Sequence, residues 1–402
     1  MAPRADTFVG LLRGHAAARP DDRALTFLAI SSRGTDTPMS YAELDRRARA
    51  IAATLQARSQ PGDRAVLLFQ PGLDYVTAFF GCLYAGVIAV PAYPPQGHRQ
   101  LPRLEAIVAD ATPSLALTTS ETLRRGGSAF EALGREAGLG FLAIDTIPDD
   151  AASDWRQLPA GSDDVAFLQY TSGSTGTPKG AMMRHGNLMH NSAAIHRAFG
   201  HGPGSVSLLW VPPYHDMGLI GGILQPLYGG FPGVLMSPLA FFKHPLGWLQ
   251  AIDRLGATTS GGPNFAYELC ARRARPEDLE GLDLSRWTLA FNGAEPVRAE
   301  TMRRFAEVFA PCGFSPEALY PCYGLAESTL IVTGGRARTV ASPADGAPLV
   351  TSGHTASDMT VRVVDPETHT LRLAGEVGEV WVAGPSVAAG SWGRPDATAS
   401  AF

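Results

Sequence analysis

Cysteine is scarce in this chain: four residues among 402, at positions 82, 270, 312 and 322. None forms a CxxC pair or stands at a Cys/His spacing suited to zinc, which excludes a zinc ribbon and a disulfide framework. The four read as buried thiols of a reducing compartment. Charge is thin as well, with 18% charged residues and a net charge of −5, so no electrostatic pull toward nucleic acid or an anionic membrane is expected. The Arg-rich patch Ala271-Arg272-Arg273-Ala274-Arg275 is short and reads as a solvated helix end. Long apolar runs are missing too. The most apolar stretch, Ala78 to Val90, is broken by Gly81 and Gly86 and falls short of the ~20 residues that a membrane span needs. The opening MAPRADTF lacks the apolar core of a signal peptide. These absences give the expectation of a cytoplasmic protein with no membrane span and no nucleic-acid partner.

What remains is an ordinary globular composition, 45% hydrophobic, in a chain long enough for two or three lobes. Thr7 can cap a first helix, and Ser40-Tyr41-Ala42-Glu43 is a capping box for a second. Strand-like runs at 65–69, 87–90, 115–118 and 141–144 then alternate with helical stretches at 73–85, 101–110 and 120–136. The rhythm resumes with strands near 205–211, 233–236, 287–291 and 317–320 and helices near 216–228, 244–254, 263–274 and 296–309. Alternation of this kind predicts parallel sheets covered by helices. From about residue 350 the texture turns to alternating β-type runs, Thr360–Val364 and Gly378–Val382, with Asp365-Pro366-Glu367 as a turn. The expected organisation is α/β, with two doubly wound α/β lobes over 1–345 and a small β-rich subdomain over 346–402.

Residues 165–180 hold the most informative stretch. Val165–Tyr170 reads as a buried parallel strand, and it breaks into Thr171-Ser172-Gly173-Ser174-Thr175-Gly176, followed by Pro178 and Lys179. Glycines let a backbone approach a ligand, hydroxyls donate to anionic oxygens, and a lysine supplies a point charge suited to phosphate. The loop is not a Walker A motif, because Thr177 and Pro178 follow Gly176. A flexible Ser/Gly linker is the alternative, but linkers seldom follow an apolar strand directly. The loop therefore predicts a polyphosphate cradle.

Four further stretches align with it: Pro212-Pro213-Tyr214-His215-Asp216-Met217-Gly218-Leu219, Gly261-Gly262-Pro263-Asn264, Asn292-Gly293-Ala294-Glu295-Pro296, and Tyr323-Gly324-Leu325-Ala326-Glu327-Ser328. Three follow predicted strands and one opens a predicted helix. Loops beyond the carboxyl ends of parallel strands are where open α/β sheets bind ligands. With YTSGSTGTPKG, WVPPYHDMGLIGG, GGPNFAYELC, NGAEPV and YPCYGLAESTL, nearly the whole chain resembles the adenylate-forming superfamily. Within it the fatty acyl-AMP ligases are the most similar group.

That resemblance implies a layered αβαβα arrangement, ATP and Mg²⁺ as cofactors, and a fatty acid as substrate. It also implies an acyl carrier protein, through its phosphopantetheine arm, as acceptor, and a monomer. By the family pattern Thr171–Gly176 and Lys179 hold the phosphates, and Gly293, Ala294, Glu295, Tyr323 and Gly324 form the adenine/AMP slot. Glu327 carries Mg²⁺, and His215 gates the acyl-carboxylate site. Asp216, Met217, Gly218, Asn264 and Tyr267 are candidates for the acyl pocket. Bland alternatives stay open at each point: a surface charge for Lys179 and Glu327, a core aromatic for Tyr323, a packed histidine for His215. A fatty acyl-CoA synthetase and a nucleotide- or acyl-binding module are the competing readings.

Three departures from the pattern are visible. The family's smaller C-terminal lobe, with its lysine, is expected to be missing, leaving the large lobe with weak turnover. The segment Gly334–Val350 is short for the insertion that characterises the ligases, and Ala326 stands where many members have threonine.

Overall fold

The computed structural model describes residues 5–29, 35–95, 101–171, 178–341, 346, 348–356 and 358–402. Two sheets organise it. The first has six strands in the order Gly140–Ala143, Leu115–Thr118, Arg64–Leu68, Ile88–Ala92, Val165–Thr171 and Lys179–Arg184. All neighbours are parallel except the last pair, which is antiparallel. The second has nine strands, running from His354–Thr355 through Ile331–Gly334, Leu319–Gly324, Leu289–Asn292, Thr259–Gly262, Ser207–Leu209, Gly233–Leu235 and Arg23–Phe27 to Thr37–Ser40. Its middle is parallel and its edges are antiparallel.

Side-chain alternation along the strands sets the layers. On Arg64–Leu68, Ala65 and Leu67 join a core with the helices Tyr41–Gln56 and Leu73–Ala85. Val66 and Leu68 face the other way, onto Leu101–Ala111 and Ser120–Ala137. The helix His185–Ala198 shares the first of these cores, which runs between the two sheets. On the far side of the nine-stranded sheet, Leu208 and Ala290 pack under Pro238–Lys243, Leu246–Leu255, Asn264–Arg273 and Ala299–Phe309. The stack is helix, sheet, helix, sheet, helix, as the resemblance implies. Both expected caps are present: Thr7 accepts from the Gly10 N–H at 3.2 Å, and Ser40 and Glu43 close a reciprocal capping box.

Three features depart from the sequence reading. Lys179–Arg184, which the sequence reading did not name as a strand, pairs antiparallel with Val165–Thr171, whose other neighbour, Ile88–Ala92, is parallel as expected. The helix expected from 216 opens as a π-helix, Met217–Leu224, and becomes α-helical only over Gln225–Gly229. Such wide turns are rare and cluster at functional sites. Gly218 is required there, since a Cβ would lie 2.0 Å from the Pro212 carbonyl oxygen. Finally, Thr339–Ala341 pairs with Pro348–Val350, so the expected boundary at 345/346 runs through a hairpin. Beyond it, Thr360–Val364 and Glu379–Ala383 pair as expected, and Asp365 turns the chain by accepting from the Glu367 and Thr368 N–H groups.

Candidate active site

Strand ends of the nine-stranded sheet and the helices beside them converge on a cavity of about 190 Å³. His215, Asp216 and Met217 come from the loop and π-helix after Ser207–Leu209, and Ala294 from the loop after Leu289–Asn292. Cys322, Tyr323 and Gly324 come from the end of Leu319–Gly324, and Leu330 and Ile331 from the turn into the next strand. Phe199, His201, Gln225, Thr259 and Phe291 line it as well.

Each wall has a local cause. Gly293 is buried against the Cys322 carbonyl oxygen, 2.8 Å from where a Cβ would stand, and Ala294 adopts φ of 68°. A non-glycine residue in the left-handed region is unusual and is held here by the tight turn. The turn leaves a surface without bulk, and Tyr323, 38% exposed, shares the cavity with it. Gly324 permits the return of the chain, since a Cβ would meet the Leu330 carbonyl oxygen at 1.7 Å.

His215 sits at the same cavity with Asp216. Its Nδ1 lies 2.6 Å from Asp216 Oδ1, which also accepts from the Met217 N–H at 2.6 Å. Burial works against a charged imidazole, but the hydrogen bond and charge of Asp216 outweigh it and raise the His215 pKa above its ordinary 6.5. With the proton on Nδ1 directed to Asp216, Nε2 is left for a ligand. Gln169 supports the preceding residue by donating to the Tyr214 carbonyl at 3.1 Å, and the Tyr93 ring lies 5.0 Å from the Tyr214 ring.

The other sequence candidates are placed as follows. Ser172, Gly173, Ser174, Thr175 and Gly176 lie outside the described residues. Thr171 ends its strand opposite Lys179, which is half-buried and opens the returning strand. Gly180 lets the Tyr170 ring cross that strand, where a Cβ would stand 2.9 Å from Tyr170 Cζ. Glu295 is exposed, and its carboxylate accepts from the Phe265 N–H at 2.6 Å, capping the helix Asn264–Arg273.

Three acyl-pocket candidates do not line the cavity. Tyr267 is fully buried on the far side of the sheet, with its hydroxyl donating to the Phe291 carbonyl at 2.6 Å. Asn264 is buried there too, accepting from the Arg298 N–H at 3.1 Å. Their helix packs on the outer face, so neither residue lines the cavity. Gly218 does not line it either, being pressed against Pro212. A larger open cleft of about 830 Å³ borders Gly72, Asp74, Thr119 and Arg125, at the strand ends of the six-stranded sheet. Among the described residues, none of the motif residues lines it.

Glu327 stands on a 3₁₀ turn, Ala326–Ser328, half-buried and with no cationic or donor partner for its carboxylate among the described residues. No group of three or more metal-ligating side chains occurs among those residues. A single free carboxylate suits Mg²⁺ delivered on a nucleotide, since that ion keeps its waters and takes phosphate oxygens with one or two carboxylates.

The profile of the family described as AMP-binding enzyme matches residues 12–392. The chain belongs to this family. Over its full length it is 42% identical to the medium-chain-fatty-acid–[acyl-carrier-protein] ligase JamA of Moorena producens, covering 72% of that protein. It is 37% identical to the long-chain-fatty-acid–AMP ligase FadD32 of Mycolicibacterium smegmatis, covering 68% of it. Among solved structures, a fatty acyl-adenylate ligase from L. pneumophila in complex with acyl adenylate and pyrophosphate superposes with a TM-score of 0.93 at 42% identity. That match covers 99% of this chain and 72% of that one. No helix among the described residues is long and apolar enough to cross a membrane.

Against this family background, the lining residues that the sequence reading missed include Phe199, His201, Gln225 and Thr259. Gln225 had a signal, as a lone amide inside the apolar run Gly221-Gly222-Ile223-Leu224-Gln225-Pro226-Leu227. His201 had none, because it arrives from a loop 24 positions away to bond Gln225.

Proposed function

We propose that this AMP-binding enzyme activates a fatty acid with ATP, forming a fatty acyl-adenylate and pyrophosphate, and passes the acyl group to the phosphopantetheine thiol of an acyl carrier protein. One observation carries the reading: a single cavity combines a surface without bulk at Ala294, the aromatic Tyr323, the imidazole of His215 and apolar walls beyond it. A nucleotide base fits between the first two, a carboxylate beside the third, and an acyl chain against the last. The names of the relatives, ligases of fatty acids to AMP or to acyl carrier protein, support the same assignment.

In this mechanism a carboxylate oxygen of the fatty acid attacks the α-phosphorus of ATP. The new bond is carboxylate oxygen to phosphorus, and the bond that breaks joins that phosphorus to the bridging oxygen of the leaving pyrophosphate. The carboxylate is already a nucleophile, so no side chain needs to remove a proton. His215 directs Nε2 toward the anionic groups, and its link to Asp216 favours the charged form that steadies them. Thr171–Gly176 and Lys179 are assigned to the leaving phosphates. When bound, Mg²⁺ supplies charge neutralisation to the phosphate oxygens, and Glu327 is the residue that would hold it. We place the reaction in the cytoplasm, carried out by a monomer.

The test is product detection. The purified chain is incubated with ATP, Mg²⁺ and fatty acids of graded length, and acyl-adenylate is measured by mass spectrometry. CoA and a phosphopantetheinylated carrier protein are then offered in parallel. Acyl-adenylate followed by acyl-carrier protein is the expected result. Acyl-CoA as the main product would replace the acceptor assignment, and no acid-dependent adenylate would overturn the function.

A further inference from the structure

Three glycines fall in the π-helix Met217–Leu224, and packing requires two of them. A Cβ on Gly218 would stand 2.0 Å from the Pro212 carbonyl oxygen, and one on Gly222 would stand 2.8 Å from Leu209 Cδ2. Gly221 has no such reason to be glycine. Its φ lies outside the left-handed region. Outside its own helix, a Cβ there would meet one heavy atom within 4 Å, Leu330 Cδ2 at 3.7 Å, which is ordinary contact. Alanine would fit the fold and favour the helix, since glycine is the less stable choice inside one.

The space that Gly221 leaves open belongs to the cavity. It is the one residue of Met217–Leu224 that is not buried, so its bare backbone is reachable. It lines the cavity together with Met217 and Gln225. Four-residue spacing sets these three on one face of the helix, in a strip that begins two positions after His215. At the middle of that strip the wall has no side chain.

The chemistry of the gap is apolar. The single neighbour of the absent Cβ is a leucine methyl, and Ile195 and Phe199 add further apolar lining to the cavity. A polymethylene chain needs contact and no hydrogen bonds, which is what such a wall offers. The nucleotide is assigned elsewhere, to Ala294 and Tyr323 at the strand ends.

We propose that Gly221 selects acyl length: the chain leaves the carboxylate site at His215 and crosses the bare backbone of Gly221, so that any side chain at this position shortens the acyl group accepted. This rests on the acyl-adenylate reading above.

The experiment uses non-hydrolysable adenylate mimics, so that turnover is not needed. AMP, acetyl sulfamoyl-adenosine and octanoyl sulfamoyl-adenosine are titrated by calorimetry into the wild-type chain, Gly221→Ala and Gly221→Leu. The wild type is expected to bind the octanoyl compound more tightly than the acetyl compound. Gly221→Ala is expected to weaken octanoyl binding by about tenfold through overpacking, and Gly221→Leu to abolish the gain from the longer chain. AMP and the acetyl compound are expected to bind both variants as they bind the wild type. The melting temperature of Gly221→Ala is expected to equal or exceed that of the wild type, whereas Gly218→Ala lowers it. Octanoyl binding unchanged in Gly221→Ala and Gly221→Leu overturns the proposal and leaves the adenylate reading intact. Equal weakening of all three ligands also overturns it, because Gly221 would then serve the nucleotide or the fold. A wild type that binds neither acyl compound more tightly than AMP overturns the adenylate reading and this inference with it. If Gly221→Leu fails to fold, the Gly221→Ala comparison decides.

Discussion

The Thr329 hydroxyl donates to the Ser386 carbonyl oxygen across 2.6 Å, and this bond fastens a γ-turn of the rare kind centred on Thr329. Thr329 has φ of 70° and ψ of −70°, and the Leu330 N–H reaches back to the Ser328 carbonyl at 2.9 Å. A β-branched residue in this conformation is strained by about 1–3 kcal/mol and persists only where surrounding contacts over-determine it. Here they do: Asn191 Nδ2 donates to both the Ile331 carbonyl and Ser386 Oγ, and the Ala388 N–H donates to the Glu327 carbonyl at 2.8 Å. The candidate metal carboxylate is thus seated two residues before a turn fastened from the 384–388 segment. Thr329→Val keeps the side-chain shape and removes the donor, leaving a buried carbonyl unpaired. Urea denaturation is expected to show a loss of about 1–3 kcal/mol, with Thr329→Ser close to wild type.

His215 and Asp216 give a prediction about pH. The folded-state pKa of His215 is raised above 6.5 by its bond to Asp216. Its contribution to stability is therefore fully present below 6.5 and is lost as pH rises through the folded value. In Asp216→Asn the raising influences disappear while burial remains. The His215 pKa, followed by NMR of its ring Cε1 proton, is expected to fall from above 6.5 to below it. A titration unchanged by the substitution would remove Asp216 from the proposed support of the anion site.

Two other histidines act in the opposite sense. Burial lowers the pKa of His185 to about 4 and that of His201 to about 3. In the unfolded chain both titrate near 6.5, so below that pH the unfolded state binds protons that the folded state refuses. Stability is expected to fall as pH drops from 6.5 toward 4, by about 2 kcal/mol per histidine at pH 5. Denaturation curves at pH 7.5 and pH 5 check this, and His185→Asn is expected to flatten the dependence by about half.

How much of this was legible in the sequence follows from range. The strand–helix alternation and the capping box of Ser40 and Glu43 are set by residues a few positions apart, and both are present in the fold. Motif spacing brought His215, Ala294 and Tyr323 to one cavity, because each lies at or just beyond the carboxyl end of a strand of one sheet. Tyr267 and Asn264 were misplaced because helical periodicity shows that a helix has a buried face but not which side of a sheet it covers. The π-helical opening at Met217 was hidden for a related reason, since the Pro212 carbonyl that crowds Gly218 arrives through a turn that propensity does not report. The hydrogen-bonded trio His201, Gln225 and Thr259 was the least legible part, being assembled from three separate elements.

Asp110 joins the base of the phosphate motif to the last helix, Pro395–Ala401. One carboxylate oxygen accepts from the Tyr170 hydroxyl at 2.7 Å, and the other accepts from Arg394 Nε at 3.0 Å and from a second guanidinium nitrogen. Burial, together with the bond to Asp110, raises the Tyr170 pKa, so the phenol stays protonated as a donor. Two substitutions separate the roles of this junction. Tyr170→Phe removes one hydrogen bond and leaves the ion pair, for an expected cost of about 1 kcal/mol. Asp110→Ala leaves both the hydroxyl and the partly buried guanidinium without their acceptor, for about 2–3 kcal/mol. Tyr170 directly precedes Thr171, where the strand gives way to the motif. If the clamp positions that loop, Tyr170→Phe will raise the KM for pyrophosphate in exchange assays while leaving kcat near its original value. If it only holds the sheet to the helix, the melting temperature will fall and KM will not move.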